Sequence, residues 1–194
     1  MKHKILLFLV AVFFVGGSQA VNAQDSMKKV KKDVVKKQKA VRFPDVQKSP
    51  TDISYMREGR RGPVTAKVVY SRPYKKGRVV FGELVPYGKV WRTGADEATE
   101  ITFYKDVHFG GKKVKAGSYA VFTIPNEDSW EVILNTGLHN WGAFGYDAEK
   151  DVARVKTKVK NMNDSLENFS IVFNNGNMVM AWDKTMVAVS IEAK

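Results

Sequence analysis

Cysteine is absent from this chain of 194 residues, and its absence excludes several kinds of protein. A disulfide scaffold, a thiolate metal site, a catalytic thiol and a lipid-modified N-terminal cysteine all require that residue. Histidine is scarce, with three residues in the chain. Beyond the N-terminal segment only His108 and His139 remain, with no HxxH or HExxH pattern and no carboxylate-rich calcium loop. We therefore expect no metal site and no cofactor.

The common catalytic motifs are also missing. The sequence has no GxSxG nucleophile motif and no glycine-rich phosphate loop that opens a helix. A glycosidase needs two carboxylates on opposite sides of a sugar bond, and the adjacent Asp96 and Glu97 would point in different directions. The sequence thus gives little support for an enzyme, and it leaves any catalytic residue unknown.

The first 23 residues have the pattern of an export signal. A basic start with Lys2 and Lys4 precedes the apolar run "ILLFLVAVFFVGG", which is short for a membrane span. Small residues follow and end at Ala23. We expect cleavage after Ala23 and a periplasmic or secreted mature protein that begins at Gln24. The alternative is an uncleaved membrane anchor.

Residues 24–42 form a lysine-rich arm, with eight Lys and Arg residues against two Asp. Such blocks of like charge are typical of a flexible, solvated tether. The alternative is a weak amphipathic helix that contacts an anionic membrane surface. Residues 43–194 carry 22 basic against 18 acidic residues, so this part is only mildly basic. Nucleic acid is therefore not an expected partner, and the length suits a single domain.

From Val64 onward the sequence has the signals of strands and turns. Runs rich in β-branched and aromatic residues include "VTAKVVYS", "RVVFG", "TEITFY", "AGSYAVFTIP" and "SWEVILN". Turn signals stand at Gly110-Gly111, Asn175-Gly176 and Asp183-Lys184. Helix is limited to one turn in "YDAEKD". These patterns predict nine or ten antiparallel strands in a β-sandwich or jelly roll.

Several of these segments, in this order, resemble a known bacterial family of secreted proteins, called domain of unknown function 2911. The similar segments are "YSRPYKKGRVVFGELVPYGKVWRTGADEAT", "AGSYAVFTIP", "WEVILN" and "WGAFGYDAEKDVARVKTK". The resemblance covers the chain from about Val64 onward. It implies a β-sandwich and an origin in Bacteroidota-type bacteria, but it implies no activity. This chain departs from the family at Asp96, where the family more often has Asn, whereas Glu97 matches.

The first candidate site is the segment Leu84–Ile101, which lies between glycines and a proline. Its candidate ligand-binding side chains are those of Tyr87, Trp91, Arg92 and Glu97. A guanidinium group binds carboxylate or phosphate through two parallel hydrogen bonds, and aromatic faces stack on sugars or cations. The alternative is structural: Arg92 pairs with Glu97 or Glu83, and Trp91 belongs to the core.

The second candidate is the loop Leu134–Asp147, whose rings and amides stand among three glycines. Its candidate ligand-binding residues are Asn135, His139, Trp141 and Tyr146. Loops of this composition are common ligand surfaces. The alternative is a packed Ω-type loop whose aromatics close one end of the sandwich.

These observations favour a secreted binding module for a small polar, saccharide-like or peptide ligand. Two alternatives remain at this point. One is a hydrolase that uses Glu97 with His139 as acid and base. The other is an envelope interaction protein with no small ligand, which would use a strand edge and the lysine-rich arm.

Overall fold

The computed structural model describes residues 41–193. In this part of the chain nearly all regular structure is β-strand, and the exception is one short 3-10 helix at Ala148–Lys150. That helix lies in the "YDAEKD" stretch, as predicted. The ten strands are β1 (Thr51–Arg57), β2 (Val64–Ser71), β3 (Thr99–Phe103), β4 (Val107–Phe109), β5 (Lys112–Val114), β6 (Gly117–Pro125), β7 (Ser129–Asn135), β8 (Asp151–Lys158), β9 (Lys160–Asn174) and β10 (Asn177–Ala193).

The strands form two antiparallel sheets that pack as a sandwich. The larger sheet has the order β1-β2-β3-β6-β7-β8, and the smaller has the order β5-β4-β10-β9. The predicted fold class and strand number are therefore confirmed. Strands β1 to β3 and β6 to β8 build the larger sheet with antiparallel neighbours throughout.

The main core lies between the two sheets. In β7, Trp130, Val132 and Leu134 alternate toward it and are almost completely buried. The smaller sheet contributes Met178 and Met180 from β10 in the same way. Because successive residues of a strand point to opposite faces, this period of two places each apolar set on one side of its sheet.

A second, smaller core covers part of the outer face of the larger sheet. It contains Ala120 and Phe122 of β6 with Ile133 of β7. Leu138 and Tyr146, from the loop between β7 and β8, pack against it. Both faces of β6 are therefore covered over much of its length, which explains why its burial is nearly continuous rather than alternating.

Two hairpins follow the predicted turn signals. Gly110 and Gly111 join β4 to β5, and both have positive φ angles of 54° and 81°. Asn175 and Gly176 join β9 to β10 with φ angles of 46° and 73°. Two consecutive left-handed residues make the type I′ turn that matches the twist of a hairpin.

Strand β10 folds back on itself. A straight strand of 17 residues would extend about 55 Å, yet the Ile191 amide donates to the Gly176 carbonyl at 2.7 Å. Asp183, with a φ of 53°, stands at the turn that the sequence predicted. Strand β9 begins beside the later half of β10, at Lys160 opposite Met186, and then pairs with the earlier half.

Two parts of the fold differ from the sequence expectations. "RVVFG" was expected to be a strand, but it forms turns: the Val85 amide donates to the Val80 carbonyl, and Gly82 has a φ of 96°. Val80 is nevertheless buried, so its β-branched pattern reflects core packing. Strand β1 was not anticipated, because its apolar Ile53 and Tyr55 lie on a face that stays about half exposed.

The compact unit of the sandwich begins at Val46. The described residues before it, 41–45, are exposed and have no regular secondary structure. The predicted export signal (1–23) and all but the last two residues of the arm (24–42) lie outside the described residues, so the domain boundary near Phe43 stays a prediction. In residues 41–193, no helix is long and apolar enough to cross a membrane.

Candidate functional site

Most of the segment Leu84–Ile101 belongs to the connection between β2 and β3, and it runs beside the end of β6. Trp91 pairs with Thr123 through two backbone hydrogen bonds of 2.7 and 2.9 Å, as a short addition to the larger sheet. The chain then leaves the sheet and returns at Thr99, whose amide donates to the Arg92 carbonyl at 3.1 Å. Residues 93–98 therefore form a closed excursion between two points of the same sheet.

The backbone of this excursion is strained. Thr93 and Asp96 both have a φ of 58°, in the left-handed region that β-branched residues rarely adopt. The Thr93 hydroxyl lies 3.2 Å from the Thr123 hydroxyl, and the Thr93 carbonyl accepts a 2.6 Å hydrogen bond from the Thr99 hydroxyl. These contacts hold the strained residue in place. Strain of this kind is concentrated at functional sites, where the surrounding structure maintains it.

A cavity of about 300 Å³ lies against the excursion. The side chains that line it include those of Arg78, Leu84, Val85, Trp91, Arg92, Asp96 and Trp182. The Trp91 and Trp182 rings stack with centroids 6.1 Å apart and an interplanar angle of 20°. They belong to a larger aromatic cluster with Phe81 and Phe169, so the wall of the cavity is a fixed part of the core.

Arg92 is the polar group that distinguishes this cavity. Its Nε atom is buried and has no hydrogen-bond partner among residues 41–193. Burial lowers the pKa of the Arg92 guanidinium below its ordinary value, and the negative charge of Asp96 opposes that shift. Within residues 41–193, no ion pair joins Arg92 to Glu97 or to Glu83. The structural alternative, in which Arg92 forms such a pair, therefore lacks its central contact.

Arg78 adds a second cation to the cavity. Its Nε and one terminal nitrogen donate to the carbonyls of Lys75 and Tyr74 at 2.9 and 2.6 Å. These bonds fix the direction of the side chain without neutralising its charge. With Arg78 and Arg92 against Asp96, the charged side chains lining the cavity sum to a positive charge. The cavity therefore favours an anionic guest.

The two candidate loops meet. Glu97 pairs with Trp141 as an isolated antiparallel bridge. The Ala98 amide donates to the Asn140 carbonyl at 2.8 Å, and the Gly142 amide donates to the Asp96 carbonyl at 2.9 Å. Side chains of directly opposed residues lie on the same face of such a ladder. Glu97 and Trp141 are therefore neighbours, and both are exposed.

The structure separates the other predicted site residues from the cavity. His139 is exposed, and its amide donates to the Glu100 carboxylate at 2.7 Å, with the ring nitrogen 3.4 Å from the same oxygen. In the described part of the chain, no ion pair joins His139 to Glu97, so the hydrolase hypothesis gains no support. Tyr87 packs over Gly82 and does not line the cavity.

Asn135 and Tyr146 belong to a polar network that fixes the second loop. The side-chain amide nitrogen of Asn135 donates to the Asp151 carboxylate at 2.7 Å and to the Asp147 carbonyl at 2.8 Å. The Tyr146 hydroxyl donates to Asp151 at 2.8 Å, and Arg154 donates to both. Their polar groups are thus occupied by protein partners, as in the packed-loop interpretation of this segment.

Trp91 is both a core residue and part of the cavity wall. It is only 7% exposed and belongs to the main core, as the structural alternative expected, but it also lines the cavity. Sequence reasoning missed Arg78, which lies just before the first candidate segment, and Trp182, which is far from both candidate loops along the chain. No local signal marks them, since Arg78 stands in a lysine-rich turn and Trp182 follows an ordinary strand pattern.

Within residues 41–193, no cluster of His, Asp and Glu has the arrangement of a metal site.

Comparison with known proteins identifies a family for this chain. Residues 49–191 match the model of a family described as "Protein of unknown function (DUF2911)". The match spans both sheets and includes every side chain that was named above as lining the cavity. A search of curated proteins found no match, and a search of solved structures also found none.

Proposed function

This chain belongs to the DUF2911 family, and we propose that it is a binding module for a small anionic ligand held in the Arg92 cavity. The observation that carries the proposal is the buried Arg92 Nε, which has no partner within the described residues. A buried donor without a partner costs roughly 1–3 kcal/mol, and more for a charged group. A ligand carboxylate or phosphate would supply the missing acceptor.

The chemistry of the cavity supports this class of ligand. A guanidinium group presents a planar fork of donors that fits carboxylate and phosphate through paired hydrogen bonds. Trp91, Val85 and Leu84 provide apolar contact beside it. A volume of about 300 Å³ is near the lower end for small-molecule sites. The proposal is therefore a small molecule rather than a long chain of sugars.

The proposed ligand can be sought with wild type and Arg92→Gln. Acetate, phenylacetate, gluconate and inorganic phosphate should be tested, because a ligand that binds only the native state raises the Tm with concentration. We expect at least one of these anions to raise the wild-type Tm and to have no effect on Arg92→Gln. Arg61→Gln, at an exposed turn residue, is the matched control and should respond like wild type.

Arg92→Met separates binding from a structural role. Without ligand, this change removes an unpartnered buried donor and should leave the Tm equal to wild type or higher, as often occurs when a functional site is relieved of strain. A loss of about 3–5 kcal/mol, which is typical of breaking a buried ion pair, would instead favour the structural alternative. Failure of every anion to shift the wild-type Tm would contradict the proposed function.

The proposal includes export to the periplasm or the exterior. It rests on the basic start, the short apolar run and the small residues that end at Ala23. N-terminal sequencing of the mature protein tests it, with Gln24 expected as the first residue. A mature protein that retains Met1 would contradict export by a cleaved signal.

A further inference from the structure

A carboxylate shares the cavity with Arg92. Asp96 lines the same space, and its charge acts on the Arg92 guanidinium. The two groups nevertheless form no ion pair, because no guanidinium nitrogen of Arg92 lies within 4.0 Å of an Asp96 carboxylate oxygen. Among residues 41–193, the Asp96 carboxylate also accepts no hydrogen bond. The cavity therefore contains an unpaired carboxylate that is not in direct contact with the Arg92 guanidinium, and Arg78 adds a further positive charge.

The backbone holds Asp96 in a fixed place. Its φ of 58° is in the left-handed region that Asp and Asn tolerate better than other side chains. Its carbonyl accepts the Gly142 amide at 2.9 Å, which ties the residue to the second loop. Because the backbone is already fixed, only the side-chain rotamer of Asp96 loses freedom when the carboxylate binds a ligand.

We infer that the ligand is a zwitterion, specifically a free α-amino acid, whose carboxylate pairs with Arg92 and whose ammonium pairs with Asp96. This inference rests on the proposed function and names the chemical class of its ligand. A simple anion would pair with Arg92 and leave the Asp96 carboxylate desolvated without a partner, which is unfavourable. Charge complementarity at both groups gives specificity for a molecule that carries both charges.

The apolar wall of the cavity would contact the side chain of a bound amino acid. Trp91 and Trp182 form a stacked aromatic surface, and Val85 and Leu84 lie beside them. An apolar or aromatic side chain would pack against this wall, where Leu84 is the most exposed of the four residues at 40%. We therefore expect phenylalanine and leucine to bind more tightly than glycine.

The test compares three forms of one amino acid. The forms are L-phenylalanine, N-acetyl-L-phenylalanine and L-phenylalanine amide. All three keep the phenylalanine side chain, whereas N-acetylation removes the ammonium charge and amidation removes the carboxylate charge. Isothermal titration calorimetry gives a Kd for each. We expect wild type to bind the free amino acid at least tenfold more tightly than either derivative. Asp96→Asn keeps a residue that tolerates the left-handed backbone but removes the charge, so it should bind the free and N-acetylated forms about equally.

Glu97→Gln is the matched control, because it removes the neighbouring carboxylate, which lies beside Trp141 rather than in the cavity. It should keep the wild-type preference. If N-acetyl-L-phenylalanine or gluconate binds wild type as tightly as the free amino acid, the zwitterion inference is overturned while the anion site stands. If neither phenylalanine form with a free carboxylate binds and no simple anion shifts the Tm, both proposals are overturned.

Discussion

Left-handed backbone at Thr93 and Asp96 connects a property of single residues to the proposed site. Asn and Asp are the non-glycine residues that adopt this conformation most readily, so the backbone explains why position 96 suits either side chain. The charge on Asp96 is then an additional property of this chain. Thr93 is β-branched and does not favour this conformation. The contacts of its hydroxyl and carbonyl groups maintain it.

Tyr146 provides a test of the network that holds the second loop. Tyr146→Phe removes a hydroxyl that donates to Asp151 and accepts from Arg154. The free energy of unfolding should fall by about 1 kcal/mol, as is typical for one intramolecular hydrogen bond. Chemical denaturation at neutral pH measures this change. Phe144→Ala is the control, because that ring is 94% exposed and should contribute little.

The difference in free energy of unfolding between wild type and Tyr146→Phe should depend on pH in a definite direction. Burial, together with the hydrogen bond to Asp151, raises the pKa of Tyr146 to about 12, whereas an unfolded tyrosine ionises near pH 10. The folded state therefore favours the protonated phenol, and this contribution is complete below about pH 10. It is lost as the pH rises toward 12. Parallel stability curves for wild type and Tyr146→Phe across that range would show that the network does not act in this way.

At the scale of elements, the long strands illustrate what local sequence reveals. The "NMVMAWD" and "TMVAVSIEA" stretches each alternate, and the turn signal between them is correct, so the hairpin within β10 was predictable. The path of β9 was not predictable from local sequence. It depends on a bulge, in which residues 162–165 pass around the turn at Asp183. The bulge is supported by the Asp183 carboxylate, which accepts from Lys75 and Ser165 at 2.6 and 2.7 Å. These partners are distant in the chain.

The lysine-rich arm also makes a prediction at this scale. Deleting residues 24–42 from the mature protein should leave the free energy of unfolding nearly unchanged, because the segment has little apolar surface to bury. Binding to vesicles that contain anionic lipid should fall at low salt, and the difference should disappear as salt screens the lysines. Denaturation and vesicle sedimentation measure the two effects.

A matched control for the arm replaces its eight basic residues with serine at constant length. Loss of vesicle binding in both variants would assign the effect to charge. A deletion variant that does not fold would show that the arm contributes to the core and that the boundary near Phe43 is wrong.

For the whole molecule, sequence periodicity was sufficient for the fold class but only partly for the site. Two antiparallel sheets follow from alternation and turn chemistry, which are local. The cavity combines Arg78 and Arg92 with Trp182, which is distant from both in sequence, and only Arg92 of these three carries a visible signal. The contact between Glu97 and Trp141 depends on how two irregular loops cross, and no periodic pattern records that geometry.

The position of β10 in the smaller sheet determines when the molecule can fold. Its later half pairs with β4 and its earlier half with β9, so residues 177–193 supply the middle of that sheet. A growing chain that has reached residue 176 lacks this centre, and the apolar face of the larger sheet has little to cover it. Contacts between such distant segments form slowly. Until β10 is in place, the uncovered apolar face of the larger sheet therefore makes the incomplete chain prone to aggregation.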